Sequence, residues 1–410
     1  MSGLATFLLV LLAMAALLRV DFFFYLLYLL AGLVVLGRLW AQHAAHAVAS
    51  ERQHPRRVFW GERPWVRLTV RNKGVLPLLW LQVHDSVPIQ LRSPNFYQAV
   101  LSLGPHARVT LSYQLDCHRR GYYSLGPLTL QSGDLLGTAR IDLSHATPDT
   151  LVVYPRIIPF TGVRLPSRAL YGSLPSRQRI FEDPSRVMGL RDYAPGDSPR
   201  HIAWKASAAC GRLQVRRYEP TVALDTTIFV DLCRGSYSPM RLWVATELAI
   251  VTAASLANWL VERRQAVGLG TNGRDPLLPG DGGATATETL PYPPTMLPRK
   301  GRPALTHILD LLARVEMVDG IGLPALLRRE TRRLGWGSTV VAITGRVDEG
   351  LFEALAALRR SGFSLALISV DPSAQFQAVR RRAAQLGVPA FEVWEEADLE
   401  RGALALGGWP

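Results

Sequence analysis

Lysine is almost missing from this chain: Lys73, Lys205 and Lys300 are the only ones, so the formal net charge of +13 over 410 residues rests on arginine. The arginines are scattered, and no aromatic-basic nucleic-acid motif accompanies them, which argues against a nucleic-acid partner. Beside a bilayer, such a surface is drawn to anionic headgroups. Cysteine is scarce too. Cys117, Cys210 and Cys233 have an odd count, no CxxC spacing and no paired histidines, which argues against a zinc site and a disulfide framework. They read as reduced structural residues, as in a body facing the cytoplasm. Also absent are a Walker A lysine motif, a GxSxG elbow, an HExxH pair and a GxGxxG after a strand. With no such motif, the expectation is a non-enzyme without a cofactor.

Long apolar runs are confined to the start. Leu4 to Leu18 is uninterrupted, Arg19 and Asp21 break it, and Phe22 to Gly37 forms a second run. Each is short against the roughly 20 residues that cross a bilayer core of about 30 Å. Counting the flanking residues as snorkelling ends, residues 1–40 read as a transmembrane helical hairpin. Arg38, Arg52, Arg56 and Arg57 follow it. The positive-inside tendency then places body and N-terminus in the cytoplasm and the Arg19 to Asp21 turn on the far side. A cleaved signal peptide fits less well: the n-region has no Lys or Arg, and the one A-x-A match, Ala13 to Ala15, lies inside the first run.

A chain of this length exceeds one hydrophobic core. Residues 56–150 show short alternating segments, among them Trp65 to Val70, Leu78 to Val83, Arg108 to Leu115 and Leu128 to Leu130, punctuated by Gly, Pro and Asn. That spacing predicts an antiparallel β-sandwich, with a hairpin turn at Arg71-Asn72-Lys73-Gly74. Residues 151–180 read as a surface linker. From 221 to 410 strands and helices alternate. The strands are Thr226 to Asp231, Ala266 to Thr271, Ser338 to Thr344, Phe363 to Asp371 and Ala390 to Trp394. The helices are Arg241 to Arg264, Pro303 to Val315, Pro324 to Leu334, Glu349 to Ser361 and Ala374 to Leu386. This rhythm predicts an α/β doubly wound parallel sheet, with ligands beyond the C-terminal strand ends, near Asp231 and Gly235. Asn272 to Lys300, rich in Gly, Pro and Thr, reads as a long loop.

Residues 181–220 are the densest in charge, aromatics and turn residues. Arg191, Asp192, Asp197, Arg200, Arg216, Arg217 and Glu219 offer a paired network, and Trp204 a stacking face for an arginine. His201 and Ser207 are not spaced for one helix face, so a nucleophile–base pair is not favoured. The run Arg191-x-Tyr193-x-x-Gly196-Asp197-x-x-Arg200-x-Ile202-x-Trp204-x-x-Ser207-Ala208 resembles the family known as domain of unknown function 58. Leu213 to Glu219 is similar to that family's continuation into a von Willebrand factor type A-like domain. Arg120 to Pro127 and Asp134 to Gly137 are similar to the end of its β-domain. Ala209 stands where the family often has a basic residue. The resemblance implies a membrane-anchored interaction module in the bacterial cytoplasmic membrane, multi-pass, with a MoxR-type AAA+ ATPase as its protein partner. It also implies a role in complex assembly or cell-envelope maturation. Arg191, Tyr193, Gly196, Asp197, Arg200, Trp204, Ser207, Arg216 and Glu219 then either touch the partner or fix domain packing.

Type A domains that hold a divalent cation present Asp-x-Ser-x-Ser after the first strand, because a hard cation needs several oxygen ligands. Here the run is Asp231-Leu232-Cys233-Arg234-Gly235: Cys233 and Gly235 replace both serines, and Arg234 brings positive charge. After the 338–344 strand comes Thr344-Gly345-Arg346, with Asp348 further on. A degenerate edge without metal is expected, with Asp231 as a helix or turn cap. Two other classes stay open: a hydrolase working near residues 191–219, and a cation-dependent adhesion protein with an exported body.

Overall fold

A computed structural model describes residues 2–18, 21–91, 98–133, 140–143, 148–160, 182–194, 199–220, 225–278, 292–372 and 376–401. The chain divides into two compact units, Met1–Arg156 with Leu309–Arg314, and Ile157–Ile308 with Val315–Pro410.

The first unit begins with two helices, α1 (Ser2–Leu18) and α2 (Asp21–His46), packed on each other. Residues 21–44 of α2 are long and apolar enough to cross a membrane. At 17 residues, α1 rises only about 26 Å, less than a bilayer core. α2 does not stop near residue 40. Its last turns bury Ala41 and Ala44, the latter in a core shared with Val48, Leu68, Leu81 and Leu128. Only Ala47 separates the helix from the first strand.

Among the described residues ten strands follow: β1 (Val48–Gln53), β2 (Arg57–Val58), β3 (Trp65–Asn72), β4 (Leu78–Asp85), β5 (Gln98–Leu103), β6 (Arg108–Gln114), β7 (Gly121–Leu125), β8 (Leu128–Gly133), β9 (Arg140–Asp142) and β10 (Asp149–Val153). They form sheets in the orders β1-β3-β6, β2-β10-β7 and β5-β4-β8-β9, with every pair antiparallel except β2 with β10. The region is β-rich and layered. Leu68 and Val70 of β3 share one apolar cluster with Leu81 and Val83 of β4, and Val66 shares another with Leu125 and Leu151. Val66, Leu68 and Val70 alternate along β3 and so face one side of it, and the two clusters take different stretches of that face.

Two boundaries differ from the sequence reading. Arg71 to Gly74 is no hairpin, because β3 and β4 belong to different sheets; the turn carries the chain from one layer to the other. Of the connector expected over residues 151–180, Leu151–Val153 belong to a strand paired with β7, and residues 161–180 lie outside the described residues. The three sheets are also tied by a buried charge, with Arg52 on β1, Asp85 on β4 and Asp149 on β10. Arg52, 2% exposed, pairs with Asp85, 1% exposed, and at 3.1 Å with Asp149. Tyr113 Oη donates to the same Asp85 carboxylate. Burial works against the charge on Arg52, but the two carboxylates outweigh it and hold its pKa above the ordinary value.

The second unit starts with an antiparallel ribbon, β11 (Glu182–Asp192) and β12 (Gln214–Pro220), enclosing the short helix α3 (Trp204–Cys210). Then come β13 (Asp225–Val230), α4 (Leu242–Glu262), β14 (Ala266–Thr271), β15 (Met296–Arg299), α5 (Arg302–Arg314), α6 (Leu323–Glu330), β16 (Thr339–Thr344), α7 (Glu349–Arg360), β17 (Ser364–Ser369), α8 (Phe376–Gln385), β18 (Ala390–Glu392) and α9 (Glu396–Glu400). The sheet order is β15-β14-β13-β16-β17-β18, parallel throughout except for β15.

Strands β14, β16 and β17 are buried along their whole length. Both faces are therefore covered, which is why these runs read as continuously apolar. α6, α7 and α8 share one cluster with Phe229, Val340, Ala342, Leu365 and Leu367, alternate residues on one face. α4 packs against β13, β14 and β16 and contributes nothing to that cluster. By composition α4 is also long and apolar enough to cross a membrane, yet 78% of its apolar window is buried. It is a core helix.

Candidate functional site

Successive strands leave β13 in opposite directions, to β14 on one side and β16 on the other. The C-terminal ends of β13 and β16 therefore flank the switch point where open α/β sheets form a crevice. Asp231 lies there, 1% exposed. Its Oδ1 accepts from Asn272 Nδ2 at 2.8 Å and from the Cys233 backbone N–H at 3.0 Å; its Oδ2 accepts from Thr344 Oγ1 at 2.8 Å. Three strand ends are thus knotted by one carboxylate. Burial pushes the Asp231 pKa up, against donors on Asn272, Ser236, Cys233 and Thr344 that pull it down.

The partners are themselves held. Asn272 Oδ1 accepts from Leu232 N at 2.6 Å, and its Nδ2 also reaches Ile321 O at 2.7 Å. Buried Tyr237 donates its hydroxyl to the Asp231 carbonyl. Gly345 is needed beside it, since a Cβ there would run into Ser236 O and the Tyr237 ring. Cys233 Sγ lies 3.5 Å from Gly320 O, and Arg234 pairs at 3.3 Å with Asp319. Gly235 is exposed in the turn between them. Asp348, the other carboxylate near this edge, caps α7 by accepting from Leu351 N at 2.8 Å. Among the described residues no group of three His, Cys, Asp or Glu is placed to hold a metal ion.

One strand further out, Asp371 accepts from Ser238 N at 2.7 Å and faces Arg241 at 3.6 Å. Arg241 lies 3.8 Å over the Trp394 ring and donates to Trp394 O at 2.7 Å. Around this polar edge Met240 is 96% exposed, and Trp243, Val244 and Trp394 are exposed as well. Asn272, Asp371, Arg241 and Trp394 were not singled out from sequence. The available signal was positional: Asp231, Asn272, Thr344 and Asp371 each lie at the end of a parallel strand or within two residues of it.

In the ribbon, Ser207 is a fastener. Its hydroxyl donates to Ala203 O at 3.0 Å and accepts from Gln214 N at 2.8 Å, tying α3 to β12. Tyr193 N bonds Leu213 O at 2.9 Å, and Ile202 bridges Val215. Arg191 donates to Asp192 O at 3.2 Å. Asp192 accepts from Gln214 Nε2 and lies 3.8 Å from Arg212. Arg216 and Trp204 are exposed, and no described arginine lies over Trp204. Gly196 and Asp197, and the side chains of Arg200, Arg217 and Glu219, fall outside the described residues. Cys210 is exposed while Cys117 is buried, so only the latter has the character of a core residue.

Residues 189–371 match the model of a family described as protein of unknown function DUF58. Over these residues the chain is similar to DUF58. The uncharacterized protein YeaD of Bacillus subtilis (strain 168) is 26% identical over 264 residues, covering 62% of this chain and 62% of that protein's length. Among solved structures, the CARDB domain of a Pyrococcus furiosus protein is 17% identical and covers 26% of this chain and 86% of its own, with a TM-score of 0.21. Native alpha-2-macroglobulin from Escherichia coli is 21% identical and covers 28% and 18%, with a TM-score of 0.24. Scores that low establish no shared fold. The DUF58 match runs from the end of β11 through Asp371, so α3, β12 and the Asp231 knot lie in the matched segment, while most of β11 and Trp394 lie outside it.

Proposed function

We propose that this chain is a membrane-anchored protein-interaction module, held by α1 and α2 in a bacterial cytoplasmic membrane, with its second unit acting as a von Willebrand factor type A-like domain. Its partner is a MoxR-type AAA+ ATPase, and its role is that of an adaptor in complex assembly or cell-envelope maturation. The observation that carries this reading is the C-terminal edge of the sheet. Its central carboxylate is saturated by protein donors, and the rim carries Met240, Trp243, Val244 and Trp394 open to solvent. Exposed aromatic and methionine side chains beside an arginine are the composition of interface anchors. Ser207, the nucleophile candidate, has its hydroxyl committed to backbone groups on both sides, which favours binding over hydrolysis.

The test is affinity capture of the full chain from detergent-solubilised membranes, with any AAA+ ATPase identified by mass spectrometry. The ATPase should accompany wild type and Asp231→Asn equally, and should be lost with Met240→Glu combined with Trp243→Glu. Equal recovery by the rim variant, or loss with Asp231→Asn alone, would refute the reading.

A further inference from the structure

The first unit carries an apolar ledge beside the end of α2. The loop between β3 and β4, Lys73 to Pro77, folds against that helix. Lys73 N donates to Ala47 O at 2.8 Å, and Trp40 Nε1 donates to Pro77 O at 3.1 Å. Gly74 sits so close to Ala47 that a Cβ would lie 2.8 Å from its methyl. Between those two anchor points the loop descends seven helix residues, about 10 Å, toward the apolar end of α2. Its shape is set from inside by Asn72, which is fully buried. The Asn72 side chain accepts from Gly74 N at 2.9 Å and donates to Leu76 O at 2.8 Å and Gly104 O at 3.0 Å. The loop is therefore preformed, yet it presents Val75 at 71% exposure, with Leu79 and, on the helix, Leu39 and Trp40 also exposed. Lys73 and Arg71 flank it, exposed and basic.

The depth of this ledge follows from the length of α2. Asp21 at its start is charged and belongs at the far boundary of the hydrocarbon. Spanning about 30 Å at 1.5 Å per residue takes roughly 20 residues, which runs from Phe22 to Ala41. Tilt would draw the following residues deeper, not shallower. Trp40 then sits at the near interface, where tryptophan is favoured, and Pro77, bonded to Trp40, sits there with it. No linker intervenes, because the last turns of α2 are part of the strand core.

We infer that the Lys73 to Pro77 loop, with Leu79, is a second membrane contact, a rigid apolar wedge seated in the lipid headgroup layer beside α2. The inference rests on α2 spanning the bilayer. It goes beyond tethering, because it fixes the β-rich unit against the lipid surface instead of leaving it free to swing.

The test uses the full chain in nanodiscs of mixed phosphatidylcholine and phosphatidylglycerol, with Cys210 and Cys233 replaced by Ser. Cys117 stays silent, since it is buried and its thiol is pushed up to about 12. An environment-sensitive fluorophore is placed in turn at Val75→Cys, Ile89→Cys and Leu29→Cys. Ile89 is an equally apolar exposed control beyond the other end of β4, a strand roughly 23 Å long. The label at 75 should shift to the blue and be quenched about twofold or more by lipids carrying a doxyl group near the headgroup. The label at 89 should do neither, and the label at 29 should be quenched by doxyl groups deep in the acyl chains. If 29 is quenched while 75 behaves like 89, the wedge is wrong and the span stands. If 29 is not quenched, both fall.

Discussion

Replacing Asp231 by alanine removes the acceptor for donors on Cys233, Asn272, Thr344 and Ser236, and the fates of the first three differ. The Cys233 N–H loses its observed partner, and a buried unsatisfied group of this kind costs about 1–3 kcal/mol. Asn272 Nδ2 keeps Ile321 O, and Thr344 Oγ1 keeps Arg346 O at 3.2 Å, so each loses about 0.5–1.5 kcal/mol. Relief of the buried charge offsets part of this, leaving a net loss of about 2–4 kcal/mol. Asparagine is different. Its Oδ1 retains both N–H donors, and its amide meets the Thr344 hydroxyl, which can turn to accept. Asp231→Asn should lie within about 1 kcal/mol of wild type at neutral pH. The assay is native-state amide exchange of the β13 residues Thr226 to Val230 in the full chain, corrected for intrinsic rates. Alanine should accelerate exchange roughly 30- to 700-fold, and asparagine by no more than about fivefold, at 1.4 kcal/mol per decade.

The pH dependence carries the sign. The folded Asp231 pKa lies above the unfolded value of about 4. Its contribution is therefore fully present below pH ~4 and is lost as pH rises through the folded value. Protection of wild type relative to Asp231→Asn should fall from acid toward neutral pH and then level off. If asparagine proves as damaging as alanine, or if wild type gains on asparagine as pH rises, the charge itself stabilises the edge. The account of a desolvated structural knot would then be wrong.

Four further outcomes follow from the same kind of bookkeeping. Asp85→Ala should weaken exchange protection across β4 by about 3–5 kcal/mol, because Arg52 is left buried without its main partner, and adding Arg52→Met should recover part of the loss. Ser207→Ala should cost about 1–2 kcal/mol locally, read as faster exchange of the Gln214 amide, since the α3 to β12 tie is lost. Asn72→Ala should speed exchange at Gly74 and lower protection of the loop by about 2–3 kcal/mol, because its three bonds shape that turn. Maleimide should label Cys210 in the native chain and leave Cys117 unmodified until denaturant is added, as the Cys117 thiol is buried and pushed up to about 12.

The parallel sheet was largely legible because its strands are buried on both faces and separated by amphipathic helices, so apolar runs and helical periods alternate without ambiguity. Ala266 to Thr271 is located to the residue. β15 was missed for the opposite reasons: it is four residues long, contains Pro298, and pairs antiparallel at the edge of a Pro- and Gly-rich stretch. β1 was missed because Val48–Gln53 is mostly polar and is held by pairing with β3. Turn chemistry at Arg71 to Gly74 signalled a reversal correctly, but local residues do not say which sheet the next strand joins. Arg52 and Asp85 are 33 positions apart, and each alone looked like ordinary surface charge.

The knot at Asp231 shows the limit more sharply. Its carboxylate meets groups 41 and 113 residues away, distances that no spacing rule encodes. What the sequence does carry is the address: polar residues at the ends of parallel strands converge on one edge whenever the sheet is doubly wound. Loss of the two serines and the presence of Arg234 argued that the edge is not built for a cation. The geometry supplies a physical reason for keeping the aspartate all the same, since it anchors Cys233, Asn272 and Thr344 at the switch point. In the proposed reading, a rigid edge of that kind would lower the entropic cost of presenting Met240 and, at the start of α4, Trp243 to a partner, because neither needs ordering on binding.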